Sequence, residues 1–180
     1  MKFFALVPVL TAVAFGAVSV VAQGSTAILS GFEVVTELSD STRADAKAIT
    51  PSNSAVQFPV VLQDLDNIIM TAKQLFQTIR DSETLDEEAA KAVAVAVTSF
   101  VKAQRALLNV IIGKHSVASR PVSFIAEVAT VLHPLQANIL SLDFAVAGVM
   151  PNDLKADYYA DARFKMLRLT FRNAMSFYSL

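Results

Sequence analysis

The chain has 180 residues, with 15 Lys and Arg against 16 Asp and Glu, two His, no Cys and no Trp. That near-balance gives nucleic acid no electrostatic footprint and predicts no broad basic face for anionic membranes. The absence of cysteine excludes disulfides, thiol catalysis and thiolate metal ligands, so packing alone has to hold the fold.

Met1 and Lys2 precede an apolar run from Phe3 to Ala22. One basic residue, a long apolar stretch and the small-x-small site Val20-Val21-Ala22 compose a secretory signal, leaving a mature chain from Gln23. The run also matches the roughly 20 residues that span a bilayer. Gly16 and the polar exit after Ala22 favour cleavage over an uncleaved anchor. Residues 23–180 then form a single domain with one core. They contain no second apolar run of membrane-spanning length and no Asn-x-Ser/Thr sequon. Ser179-Leu180 supplies no hydrophobic tail for a glycolipid anchor. Two hydroxyl-rich stretches, Ser39-Asp40-Ser41-Thr42 and Ile49 to Ser54, are suited to O-linked sugars.

The mature glycines are few and the prolines fall mostly between periodic segments, which predicts long helices. The first, over 26–49, carries Ile28, Phe32, Val35, Ala46 and Ile49 at helical spacing, with Ser39 and Thr42 interrupting the stripe. The second, over 58–81, places Pro59 in the first turn, where its missing N–H costs nothing. Val61, Leu65, Ile68, Ala72, Leu75, Phe76 and Ile79 share its apolar face. Thr84-Leu85-Asp86-Glu87 reads as a capping box opening the third helix, which ends at Gly113. Lys114 and His115 lie just past that end, where carbonyl charge favours cations.

The fourth helix, over 121–149, keeps Ile125, Val128, Leu132, Leu135, Ile139, Leu142, Val146 and Val149 in register and is expected to kink at Pro134. After Met150-Pro151, a fifth covers 152–178 with a stripe of Ala160, Phe164, Leu167, Phe171, Ala174 and Tyr178. Lys165, Arg168 and Arg172 form a separate basic stripe on it, and Tyr159, Met166 and Leu169 widen its apolar surface. The fold class is therefore all-α, an up-and-down bundle of about five long amphipathic helices.

Catalytic chemistry is not visible. His115 and His133 have no histidine partner at helical spacing, no Gly-x-Ser-x-Gly elbow is present, and neither a metal site nor a cofactor is expected. Asp153, Asp157 and Asp161 lie four apart as a solvated helix face, and the basic stripe reads the same way. Phe76, Phe100, Leu107, Leu132, Leu142 and Phe164 are the large residues placed inside, as plain core or as the lining of a lipid cavity. Burying a long acyl chain is worth roughly 10 kcal/mol gross, so a bundle can be both stabilised by a lipid and useful as its carrier.

Several segments resemble the fungal hydrophobic surface-binding protein A and cell-wall galactomannoprotein family. They are Ile28-Leu29-Ser30, the Ala/Val-rich third helix, the run from Ala106 to Ser116, the proline-led stretch from Pro121 to Leu142, and Ala174 to Ser179. The resemblance implies export, residence outside the cell or in its wall, and a non-enzymatic helical domain. It implies binding of fatty acids or adsorption to hydrophobic surfaces, with wall polysaccharide or a secreted hydrolase as further partners. A structural wall mannoprotein displaying O-linked sugars is the alternative.

Overall fold

The structure, a computed structural model, describes residues 20–119, 123–160 and 162–179. Seven helices occur among them and no strand: α1 (Val20–Ala48), α2 (Ser54–Arg80), α3 (Glu87–Gly113), α4 (His115–Ala118), α5 (Ile125–Val149), α6 (Asn152–Ala160) and α7 (Arg163–Tyr178). Four of them, α1, α2, α3 and α5, answer to expected long helices. Most of the expected signal run, Asp161 and Pro121 lie outside the described residues.

The long helices alternate in direction along the chain and close into a ring. Its order is α1, α2, α5, α7, α3 and back to α1, each helix packing on two neighbours. The directions follow from paired contacts. Phe32 meets Phe100 and Ser39 meets Gln104, so α1 and α3 run parallel. Arg163 reaches Ala94 and Tyr178 reaches Ile111, so α3 and α7 are parallel too. Phe58 stacks on Phe124 where α2 and α5 both begin. Antiparallel packing occurs where α1 meets α2, and there Gly31 permits a close approach: a Cβ built on it would stand 2.5 Å from Leu75 Cδ1.

Local chemistry shifts several boundaries from the sequence expectation. Asn53 accepts from the Thr50 N–H and donates to the Ala48 carbonyl, tying off α1 and starting α2 at Ser54. Pro59 consequently sits in the second turn, not the first, and the earlier start is what buries Ser54 and Phe58. The N-cap of α3 is Asp86, whose carboxylate accepts from the Ala89 N–H at 2.8 Å. The expected Thr84–Glu87 box does not form, because Leu85 is buried and its N–H is held by the Val149 carbonyl. α5 starts at Ile125 and runs without interruption through Pro134, with all eight of its in-register residues buried.

The expected fifth helix divides into α6 and α7. Tyr158 and Phe164, six residues apart, would fall on different sides of one continuous helix, and the break allows both to be buried. Ala160, expected in the stripe, is exposed. A further correction concerns α3. Its 27 residues are apolar enough, by length and composition, to cross a membrane, so the mature chain does contain a second such stretch. In the bundle its apolar side is core: Ala90, Val93, Val97, Phe100, Leu107 and Leu108 are sealed from solvent.

Candidate ligand-binding interior

Five helices in a ring send their apolar stripes toward one axis. Phe100, Leu107, Leu132 and Leu142 are completely buried there and Phe164 nearly so, all in one continuous core cluster. Phe76 belongs to its margin, half-buried against the cluster. Five of the six candidate residues therefore share the buried core, and Phe76 lies at its edge.

The axis also holds polar groups that the apolar pattern hid. Ser39 and Thr42, read as gaps in the α1 stripe and as sugar acceptors, are buried in the seam. Each hydroxyl donates to the carbonyl four residues back, Ser39 to Val35 at 2.5 Å and Thr42 to Leu38 at 2.7 Å, so a small polar side chain fits an apolar face. Neither can carry a glycan in this fold; Ser41, Thr50 and Ser52 are the exposed hydroxyls of the two stretches. Gln104 of α3 is fully buried and donates from Nε2 to Ser39 Oγ at 2.6 Å. Its Oε1 has no protein partner, an orphan acceptor inside the core.

The two ends of the ring differ. At one end Lys114 donates to the carbonyls of Lys47 and Ile49, at 2.8 and 2.7 Å. The expected carbonyl-seeking cation is there, but it caps α1 and not its own helix. Beside it Ile49, Phe58, Leu65, Ile111 and Val128 enclose a void of only about 10 Å³, room for a single water. Tyr178 closes the same end, donating to the Ile111 carbonyl at 2.8 Å; burial pushes its phenol pKa up. His115 packs edge-on against the Tyr178 ring, 5.3 Å between centroids, whereas His133 is exposed.

The other end lies under α6. A crevice of about 300 Å³ opens between α3, Met150, α6 and the start of α7, lined by Ala90, Ala94, Met150, Leu154, Tyr158 and Arg163, with Lys91 and Asp157 at its rim. Its volume is at the lower bound for a small-molecule pocket. Arg163 brings the cation: its guanidinium lies 5.8 Å from the Tyr158 ring centroid and donates to the Ala94 carbonyl at 2.7 Å. Burial first, and then the negative charge of Asp143, push the Tyr158 phenol pKa far up. Asp143 itself is raised by burial, against the opposing pull of Arg168 at 3.5 Å. Only Tyr158 of α6 is buried, so this short helix covers the crevice with a single anchor.

An outer groove of about 240 Å³ between α1 and α3 has Leu29 and Phe32 in its floor, but Glu33 and Glu37 flank it and repel any anionic ligand. Among the described residues no group of three or more His, Asp or Glu could hold a metal ion; Asp153 and Asp157 are exposed. The residues of this interior and its crevice that sequence reasoning missed are Arg163, Tyr158, Met150 and Gln104. Gln104 was the one legible in principle, since an amide interrupts the apolar spacing between Phe100 and Leu107.

No protein-family model matches the chain, and no curated protein sequence matches it significantly. Solved structures do. A crystal structure of Afmp4p in complex with palmitic acid superposes with a TM-score of 0.79 at 14% identity, over 86% of this chain and 99% of that one. Ligand binding domain 1 of the Penicillium marneffei MP1 protein, complexed with arachidonic acids, gives 0.77 at 15% identity, over 87% and 99%. Ligand binding domain 2 of the same protein, complexed with multiple arachidonic acids, gives 0.73 at 11% identity, over 88% and 96%. The chain shares the fold of these helical proteins over nearly their whole length.

Proposed function

We propose that this protein binds single-chain fatty acids, with the tail along the ring axis and the carboxylate at the α6 end beside Arg163. The observation that carries the reading is the crevice under α6, which has the core residues Ala90 and Met150 and the guanidinium-bearing Arg163 in its wall. The opposite end is closed by Lys114, with two of its three donors already used on α1 carbonyls. The fold shared with proteins solved around palmitic and arachidonic acid supports the same ligand class.

The axis is packed in this structure, so a tail has to part the helices. Roughly 10 kcal/mol gross from burying a long acyl chain is available against that cost and against ordering the ligand. α6, with Tyr158 as its one buried residue and Leu154 half-buried against the core, is the element over the crevice that such a tail would displace. Phe100, Leu107, Leu132, Leu142 and Phe164 then line the tail, with Phe76 at the margin. Export through cleavage after Ala22 belongs to the proposal, as does residence in the extracellular space or wall. The cut would trim α1 by its first three residues, Val20 to Ala22.

Native mass spectrometry of the secreted protein, followed by solvent extraction, tests both parts. The expected result is a polypeptide starting at Gln23 with stoichiometric fatty acid. Lipid-free protein is then titrated with palmitate and with hexadecanol. Arg163→Gln should weaken palmitate about tenfold, the worth of one charge-assisted hydrogen bond, and change hexadecanol by less than about threefold. Lipid-free protein that takes up neither ligand overturns the proposal; equal losses for both ligands overturn the role of Arg163.

A further inference from the structure

The overall charge balance conceals a segregation. α7 holds Arg163, Lys165, Arg168 and Arg172 and no acidic residue. Its neighbour α3 carries Lys91, Lys102 and Arg105, with acids only at Glu87 and Glu88 in its first turn. Lys91 is neutralised by Glu87, an ion pair at 2.5 Å. On α5 the acid facing this surface is Asp143, already paired to Arg168 and only 13% exposed. On the far side of the ring α1 sets Glu33, Glu37, Asp40 and Asp45 against Arg43 and Lys47, and α2 balances Asp64 and Asp66 with Lys73 and Arg80.

The outer surface of α7 is organised in rows. Its inward row, Phe164, Leu167, Phe171, Ala174 and Tyr178, is buried. Of the outward residues, Lys165, Arg168 and Arg172 fall on the α5 side, as the Arg168–Asp143 pair fixes. Met166, Leu169 and Phe177, 41, 47 and 50% exposed, fall toward α3, where Phe177 meets the His115 ring. On α3, helical spacing from Ala94, which meets Arg163, puts Arg105 and Lys102 toward α7; Lys102 is exposed and Arg105 half-buried with its Nε out of solvent. An apolar row is therefore bordered by cations on both sides. Phe144 of α5, 61% exposed, extends the apolar contact, with the Arg168 guanidinium 5.7 Å from its ring centroid.

We propose that the outer face of α7, with the adjoining cations of α3, docks the protein on an anionic lipid bilayer. The basic rows would meet acidic headgroups, and Met166, Leu169 and Phe177 would pass to the acyl boundary. A purely apolar partner leaves the flanking cations without a counter-charge, and a purely anionic polymer leaves the apolar row in water. A bilayer with acidic headgroups answers both. The helix stays folded in its ring, because the residues that dock are not the residues that pack. The inference does not rest on fatty-acid binding.

The test is co-sedimentation of the full secreted protein with vesicles of phosphatidylcholine alone and of phosphatidylcholine mixed with phosphatidylserine. Binding should require phosphatidylserine and should fall steeply between about 0.05 and about 0.5 M salt, as screening shortens the reach of the charges. Lys165→Glu with Arg172→Glu should weaken it by at least about tenfold. Leu169→Ser with Phe177→Ser should weaken it while leaving the salt slope unchanged. Lys73→Glu with Arg80→Glu, the same charge change on α2, should leave binding near wild type. Far-ultraviolet circular dichroism melts confirm that each pair of substitutions is folded, and palmitate uptake from solution should persist in all of them. No binding to phosphatidylserine vesicles, equal binding to both vesicle types, or an equal loss in the α2 control overturns the proposal.

Discussion

Gln104 makes the sharpest stability prediction, because it places an unpaired acceptor in a sealed core. Replacing it with leucine removes the Nε2 donation to Ser39, worth about 0.5–1.5 kcal/mol, and removes the buried Oε1, whose desolvation costs about 1–3 kcal/mol. Ser39 keeps its own donation to Val35, so no new orphan donor arises. The balance favours the variant by about 1 kcal/mol, and for a domain of this size that raises Tm by about 2–4 °C. Lipid-free Gln104→Leu is compared with wild type by urea unfolding and by calorimetry. A loss of stability of 1 kcal/mol or more would refute the reasoning. Gln104→Glu should behave oppositely, bringing a carboxyl into the same apolar site and destabilising the fold increasingly as pH rises.

Gly31→Ala sets a helix-propensity gain of about 1 kcal/mol against overpacking of about 1–3 kcal/mol, because the new methyl group meets a buried Leu75. A net loss is expected in denaturant midpoints, and it should shrink when Leu75→Val is added; simple additivity of the two changes would count against the contact. Asp143 has a folded pKa raised by burial, so the fold prefers its protonated form. Its contribution is present below the unfolded pKa of about 3.9 and is lost as pH rises through the folded value. Asp143→Asn should therefore gain on wild type as pH rises from about 4 toward neutrality in chemical denaturation, and parallel pH profiles for the two proteins would contradict that account.

What could be read from the sequence was what repeats along a helix. The eight α5 residues from Ile125 to Val149 keep one register, and every one is buried. Capping was legible only as a region: Thr84, Asp86 and Glu87 all suit the start of α3, and the choice of Asp86 depends on the distant Val149 carbonyl that holds Leu85. Ser39 and Thr42 looked like breaks in a stripe because hydropathy counts the hydroxyl and not the carbonyl that neutralises it. The division of α6 from α7 was hidden because Ala160 continues the apolar spacing that the folded chain abandons. Charge misled in the same way. A total near zero does not reveal that α7 holds four cations and no acid while α1 sets four acids against two cations. The crevice beside Arg163 depends on four segments meeting, and no single stretch of sequence carries its signature.

The order of helices around the ring constrains how the protein can be made. α7 packs on both α3 and α5 and closes the ring between them, and its Tyr178 fastens to a carbonyl 67 residues earlier. During synthesis α1, α2, α3 and α5 all precede α7, so the helix that packs on both α3 and α5 comes last of the five. Closure waits for residues 163–178 to emerge. Until then the apolar surfaces of α3 and α5 that later pack on α7 are left uncovered by it.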